Sequence, residues 1–136
     1  MSIVWRVQLT DLAALDLIKI RLWTTEKFGK LQAANYIETI TSAIEALLNG
    51  PEPTGSKPRE DLGSGIRTLH VKREGNKGRH FVVFKEVKNQ TIQVLRLLHD
   101  SMDLTRHSLE SKINSSDSFT LPGYANLFNN SKVVAL

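Results

Sequence analysis

Between residues 92 and 98 the chain reads Ile-Gln-Val-Leu-Arg-Leu-Leu, apolar except at Gln93 and Arg96. Alternation assigns Leu95 and Leu97 to one face of a strand, and Ile92, Val94 and Leu98 to the other. A strand apolar on both faces belongs inside a sheet, with something packed on each side. The same alternation predicts a first strand over residues 3–9, where Ile3, Trp5, Val7 and Leu9 share a face. It also predicts strands over 66–73 and 79–87. Glu74-Gly75-Asn76-Lys77-Gly78 and Lys88-Asn89-Gln90 are the turns between the last three strands.

After the first strand the period changes to that of a helix. Thr10 and Asp11 are N-cap candidates, and Leu12, Leu15, Ile18, Leu22 and Trp23 recur at helical spacing as far as Gly29. Ala33, Ile37, Ile40, Ile44, Leu47 and Leu48 form a second stripe, which predicts a helix from Lys30 to about Leu48. With only Gly29 between them, the helices form an antiparallel hairpin. The order is β-α-α-β-β-β, an α+β fold with the hairpin packed on one face of a four-stranded, mainly antiparallel sheet. The helices supply the crossover that returns the first strand beside the last. Asn49-Gly50-Pro51 stops the second helix, and the Pro- and Gly-rich stretch to Gly65 reads as an irregular, exposed connection with Arg59, Glu60 and Asp61 as solvated charges. Residues 1–109 form one domain. Residues 110–136 read as a loosely structured C-terminal extension, with Phe119, Leu121, Tyr124, Leu127 and Phe128 as scattered apolar anchors.

Composition narrows the function classes. The absence of cysteine excludes disulfides and thiolate metal sites and fits a reducing compartment. No apolar run is long enough to span a bilayer and no signal peptide is recognisable, so the expected location is the cytoplasm. Four histidines without a helical His-x-x-x-His pair give no metal cluster, and no cofactor is expected. The net charge is +4, but its distribution carries more information: Lys57 to Lys88 holds nine Lys/Arg against four Asp/Glu. That region would attract an acidic partner, or it is a hairpin whose lysines protect its edges.

Arg96 interrupts the central strand, and an unpaired cation costs several kcal/mol or more to bury. It meets a carboxylate, lines a groove, or waits for a partner. The strand then exits through His99, Met102, Asp103, Arg106 and His107, an unusually ionisable run.

The stretch Val94-Leu-Arg-Leu-Leu-His-Asp-Ser-Met-Asp-Leu-Thr-Arg-His107 resembles the C-terminal signature of the ParE toxins of bacterial toxin–antitoxin pairs. Arg96, His99, Met102, Asp103, Arg106 and His107 match it at the family's spacing. Gly65-Ile66-Arg67 and Gly78 to Phe84 resemble the family's second and third strands, and the region of Trp23, Gly29 and Tyr36 its helical hairpin. The chain departs from the pattern at His80, where many members have an aromatic such as Tyr, and at Ser108. The resemblance covers residues 1 to about 109 and implies the fold of the wider RelE/ParE superfamily. It implies a small toxin with no catalytic residues that poisons DNA gyrase, inhibits replication, contributes to plasmid stabilisation, and is neutralised by a ParD-like antitoxin in a hetero-oligomer. No membrane and no sequence-specific nucleic acid are implied as partners. The partner-binding candidates are Arg67, Arg79, Arg96, His99, Met102, Asp103, Arg106 and His107. Two alternatives stand beside this reading. One is a RelE-like ribosome-dependent mRNA endonuclease, with Arg67, Arg79 and Arg96 holding phosphate and His80 or His107 moving protons. The other is an inactive toxin relic that only binds antitoxin.

Overall fold

A computed structural model of the chain describes residues 5–73 and 76–101. The elements in order are β1 (Arg6–Leu9), α1 (Asp11–Phe28), α2 (Lys30–Glu45), a 3-10 turn (Ala46–Asn49), β2 (Ser56–Pro58), β3 (Ile66–Arg73), β4 (Asn76–Val87) and β5 (Thr91–His99). They form a five-stranded mixed sheet in the order β1-β5-β4-β3-β2. β1 runs parallel to β5, with Arg6 opposite Thr91 and Leu9 opposite Val94, and the other pairings are antiparallel. The first strand therefore returns beside the last, as the helical crossover requires.

The expected sheet of four strands gains a fifth. β2 is three residues long, Ser-Lys-Pro, and lies in the connection read as irregular. It has no apolar alternation to betray it, and its proline sits on a sheet edge, where a missing N–H leaves no ladder bond unmade. β4 begins at Asn76 rather than Arg79.

Thr10 starts α1. Its Oγ1 accepts the Ala13 N–H (3.0 Å) and donates to the Leu95 carbonyl (2.8 Å), so one side chain caps the helix and ties it to β5. Gly29, at φ 91°, separates the helices. The buried face of α1 is Ala13, Leu17, Ile20 and Thr24. This corrects the stripe expected from the large apolar residues: Leu12, Leu15 and Ile18 are half-buried, and Leu22 and Trp23 are exposed. α2 buries Ala33, Ile40 and Ile44 as expected, and its last turn tightens into the 3-10 turn that buries Leu47.

Two apolar clusters flank the sheet. The larger joins Leu17, Ile20, Ile40 and Ile44 of the hairpin to Leu69, Val71, Val82, Phe84, Ile92, Val94 and Leu97. The smaller, on the opposite face, joins Leu62 and Ile66 to Val83, Leu95 and Leu98. Leu97 thus shares a face with Ile92 and Val94, and Leu98 with Leu95, which inverts the assignment made from alternation. The cause is a break in register: Phe84 pairs with Val94 but Val83 pairs with Arg96, so Leu95 is an extra residue in the ladder. One inserted residue exchanges the faces of everything beyond it.

Candidate functional site

The hairpin and the ends of β4 and β5 enclose a cavity of about 680 Å3, walled by Ile20, Trp23, Thr24 and Phe28 of α1, Gln32 and Tyr36 of α2, and His80 and His99 of the sheet, with Lys19 and Arg79 completing the lining. β4 and β5 place His80 opposite His99, and the rings meet edge to face with centroids 5.2 Å apart. Tyr36 joins the hairpin to this end of the sheet. Its hydroxyl accepts the Arg79 backbone N–H (2.8 Å) and lies 2.7 Å from His80 Nδ1. The hydroxyl and the ring share a hydrogen bond whose direction follows the His80 tautomer. Gly78 makes this approach possible, because a Cβ there would meet the Tyr36 ring at 3.0 Å.

Burial and the neighbouring His99 push the His80 pKa down to about 4, so the ring is neutral at physiological pH. Burial raises the Tyr36 pKa. Asp100 sits among basic side chains at the rim: its Oδ1 lies 3.3 Å from Arg79 Nε and 3.6 Å from His99 Nδ1, and its Oδ2 lies 3.7 Å from His70 Nε2.

The residues singled out from the sequence divide into four groups. Arg79 and His99 come together at the cavity. Arg67 does not join them. It lies opposite Phe84, where its Nη2 donates to Ser56 Oγ (2.8 Å) and its Nη1 is 4.0 Å from Glu52. Met102, Asp103, Arg106 and His107 lie outside the described residues.

Arg96 meets a carboxylate of its own chain. Its Nε and Nη2 donate to Asp16 Oδ2 and Oδ1 at 2.7 and 3.0 Å, and the two side chains are only 14% and 12% exposed. Of the three fates open to this cation, the structure shows the first: Asp16 of α1 supplies the counter-charge of a residue also named as a partner-binding candidate. Asp16 also accepts the Leu97 N–H (3.0 Å). β1 ends opposite Val94, so this amide has no strand partner on that side, and the carboxylate covers the open edge.

Tyr36, Asp16, Asp100 and the apolar wall carry the geometry, yet none ranked as a candidate site residue. Helical spacing places Trp23 in the buried stripe of α1, and Phe28, at the end of the same helix, gives no signal.

The family model for the ParE toxin of the type II toxin–antitoxin system, parDE, matches residues 7–104. The chain belongs to the ParE toxin family. Among solved structures it is similar to a chain of the chromosomal ParDE toxin–antitoxin system from P. aeruginosa, at 25% identity with a TM-score of 0.59, covering 70% of this chain and 95% of that one. No curated protein matches it. As a ParE toxin the chain is one half of a toxin–antitoxin pair, with an antitoxin as its partner class. No helix among the described residues is long and apolar enough to cross a membrane.

Proposed function

We propose that this ParE-family chain acts by binding, as a poison that stabilises the cleaved complex of DNA gyrase with DNA in the cytoplasm, and that its antitoxin neutralises it by covering the toxin surface. Family membership over residues 7–104 carries this reading. Among the described residues the site chemistry supports it over RNA cleavage; His107, the other proton-transfer candidate, lies outside them. A nuclease acting at neutral pH works best with a proton-transfer group titrating near 7 and with cations converging on one phosphate. Here His80 titrates near 4 and its Nδ1 is engaged by Tyr36. Arg67 and Arg96 are held by Ser56 and Asp16, away from Arg79. A cavity whose wall is largely apolar and aromatic suits recognition of another protein.

The test mixes the full chain with purified gyrase and supercoiled plasmid. Linear DNA with gyrase covalently attached is the expected product. Intact plasmid at a large molar excess of toxin, together with cleavage of ribosome-bound mRNA by the same preparation, would return the reading to the nuclease alternative.

A further inference from the structure

Of the nine Lys/Arg between Lys57 and Lys88, only Arg79 lines the cavity. The strand register shows where three others stand. Lys57 is opposite Thr68, and Lys85 is opposite Ile66. Thr68 and Ile66 share one side of β3, and Ile66 belongs to the smaller apolar cluster, on the sheet face turned away from the helices. Residues directly opposite share a face, so Lys57 and Lys85 rise from it too. Val71 is buried in the larger cluster on the helix side, so alternation turns Lys72 to the same far face. Lys57 and Lys72 are exposed, and Lys85 is half-buried. The acids nearest in sequence are engaged elsewhere. Asp61 takes Arg59 in a bidentate pair (2.9 and 2.8 Å), and Glu60 accepts the Gly65 N–H (2.9 Å). Glu86 is opposite Ile92 and so lies on the helix side. Residues 102–136 hold three Lys/Arg and three Asp/Glu, so they bring no net side-chain charge to offset this face.

We propose that the far face of β2, β3 and β4 holds the phosphate backbone of the DNA in the gyrase complex, so that the toxin touches nucleic acid as well as enzyme. The strands set the spacing. Along the strand direction Lys72 stands about 13 Å from Lys57, and Lys85 stands about 7 Å the other way and about 10 Å across. The three ammonium groups thus span about 20 Å of one face. A duplex carries one charge per about 1.7 Å of its axis, so all three meet phosphates without an exact register. Phosphate contacts position a protein and carry no sequence information. The residue types favour DNA over an acidic protein. Cores of protein interfaces are depleted in Lys and built on aromatic residues, Met and Arg, whereas DNA interfaces are much more positively charged. Lysine is a compact point charge that suits a phosphate in any orientation. The exposed large apolar residues among those described, Leu22, Trp23, Phe28 and Leu31, all belong to the hairpin and not to this face. A second copy of the chain would set like charges against each other. The inference rests on the gyrase reading and adds to it a direct contact with DNA.

The experiment titrates the full chain into a fluorescein-labelled duplex of about 20 base pairs and follows anisotropy over a range of salt concentrations. Three phosphate contacts give a slope of about −2.7 in a plot of log K against log[salt]. In the chain with Lys57→Gln, Lys72→Gln and Lys85→Gln, binding at low salt should weaken at least tenfold and the slope should fall towards zero. Arginine at the same three positions keeps the charge and should restore both. A control with Arg21→Gln, Lys27→Gln and Lys30→Gln removes the same net charge from the hairpin, and it should stay within threefold of the unmodified chain. No binding of the unmodified chain to the duplex overturns the proposal. So does an equal loss in the two glutamine variants, which would mean that net charge alone draws the chain to DNA.

Gyrase itself separates the remaining partners. The far-face glutamine variant should need at least fivefold more protein to yield linear DNA with gyrase attached, while binding DNA-free gyrase as the unmodified chain does. An equal loss against DNA-free gyrase would assign the face to an acidic surface of the enzyme. Tighter binding of a single-stranded RNA of the same length would assign it to RNA. Either result overturns the DNA contact. Failure of the gyrase reading is separable: it would appear as intact plasmid with the unmodified chain, and the duplex titration judges the surface on its own.

Discussion

His80 shows how a single ring can be fixed by its surroundings. Its folded pKa, about 4, lies below the ordinary 6.5, because burial and His99 disfavour the charged ring. Above pH 6.5 folded and unfolded chains both hold it neutral. As pH falls from there the unfolded chain binds the proton first, so stability is lost progressively until the folded ring also titrates near 4. The gap corresponds to at most about 3 kcal/mol, reduced to about 1–2 kcal/mol because the ring is only partly buried. Urea midpoints measured at pH 7 and pH 4.5 should fall more steeply for the unmodified chain than for His80→Gln, which has no proton to take up. Parallel slopes would mean that burial and His99 do not hold the ring neutral.

At the scale of elements, the edge of β5 beyond β1 shows what Asp16 does. It serves a guanidinium and a backbone amide at once, so the two substitutions that break the pair are unequal. Asp16→Ala leaves a largely buried cation and the Leu97 N–H unpaired and should cost about 3 kcal/mol. Arg96→Met leaves the carboxylate still accepting the Leu97 amide and should cost about 1–2 kcal/mol. Chemical denaturation of the two variants checks the order, and an equal or reversed cost would show that the amide contact contributes nothing. The same edge marks the limit of sequence reading. The order of elements was legible because hydrophobic periodicity changes cleanly from two to about 3.6 after Leu9 and back at Ile66. The faces of β5 were not, because nothing in Val94-Leu95-Arg96 announces a bulge. The face of α1 was misread because size was taken for burial: Ala13 and Thr24 go inside while Leu22 and Trp23 stay out. Arg79 and His99 could be named in advance by family likeness. Asp16 could not, since a lone aspartate on a helix carries no mark of a strand 80 residues away in sequence.

For the molecule as a whole, the uneven charge and the exposed apolar end of the hairpin lie on different elements of the described residues and meet at Arg79. The excess between Lys57 and Lys88 falls on β2, β3 and β4, whereas the apolar cavity opens between the hairpin and the ends of β4 and β5. A toxin that must meet both a target and an antitoxin has room for two recognition chemistries, one electrostatic and one apolar. They should separate by ionic strength: raising salt from 50 to 500 mM should weaken gyrase engagement far more than it weakens binding of an apolar anchor. Equal sensitivity in the two assays would place both partners on one surface.

The parallel pairing of Arg6–Leu9 with Thr91–Val94 has a consequence during synthesis. The opening strand emerges from the ribosome long before its neighbour exists, and Thr10 waits equally long for the Leu95 carbonyl. A chain interrupted anywhere before Thr91 has no place to lodge its first strand and no edge for Asp16 to cover. Such a fragment should be digested by protease at once, so a cell making this toxin is exposed to the folded chain only when translation has passed the final strand.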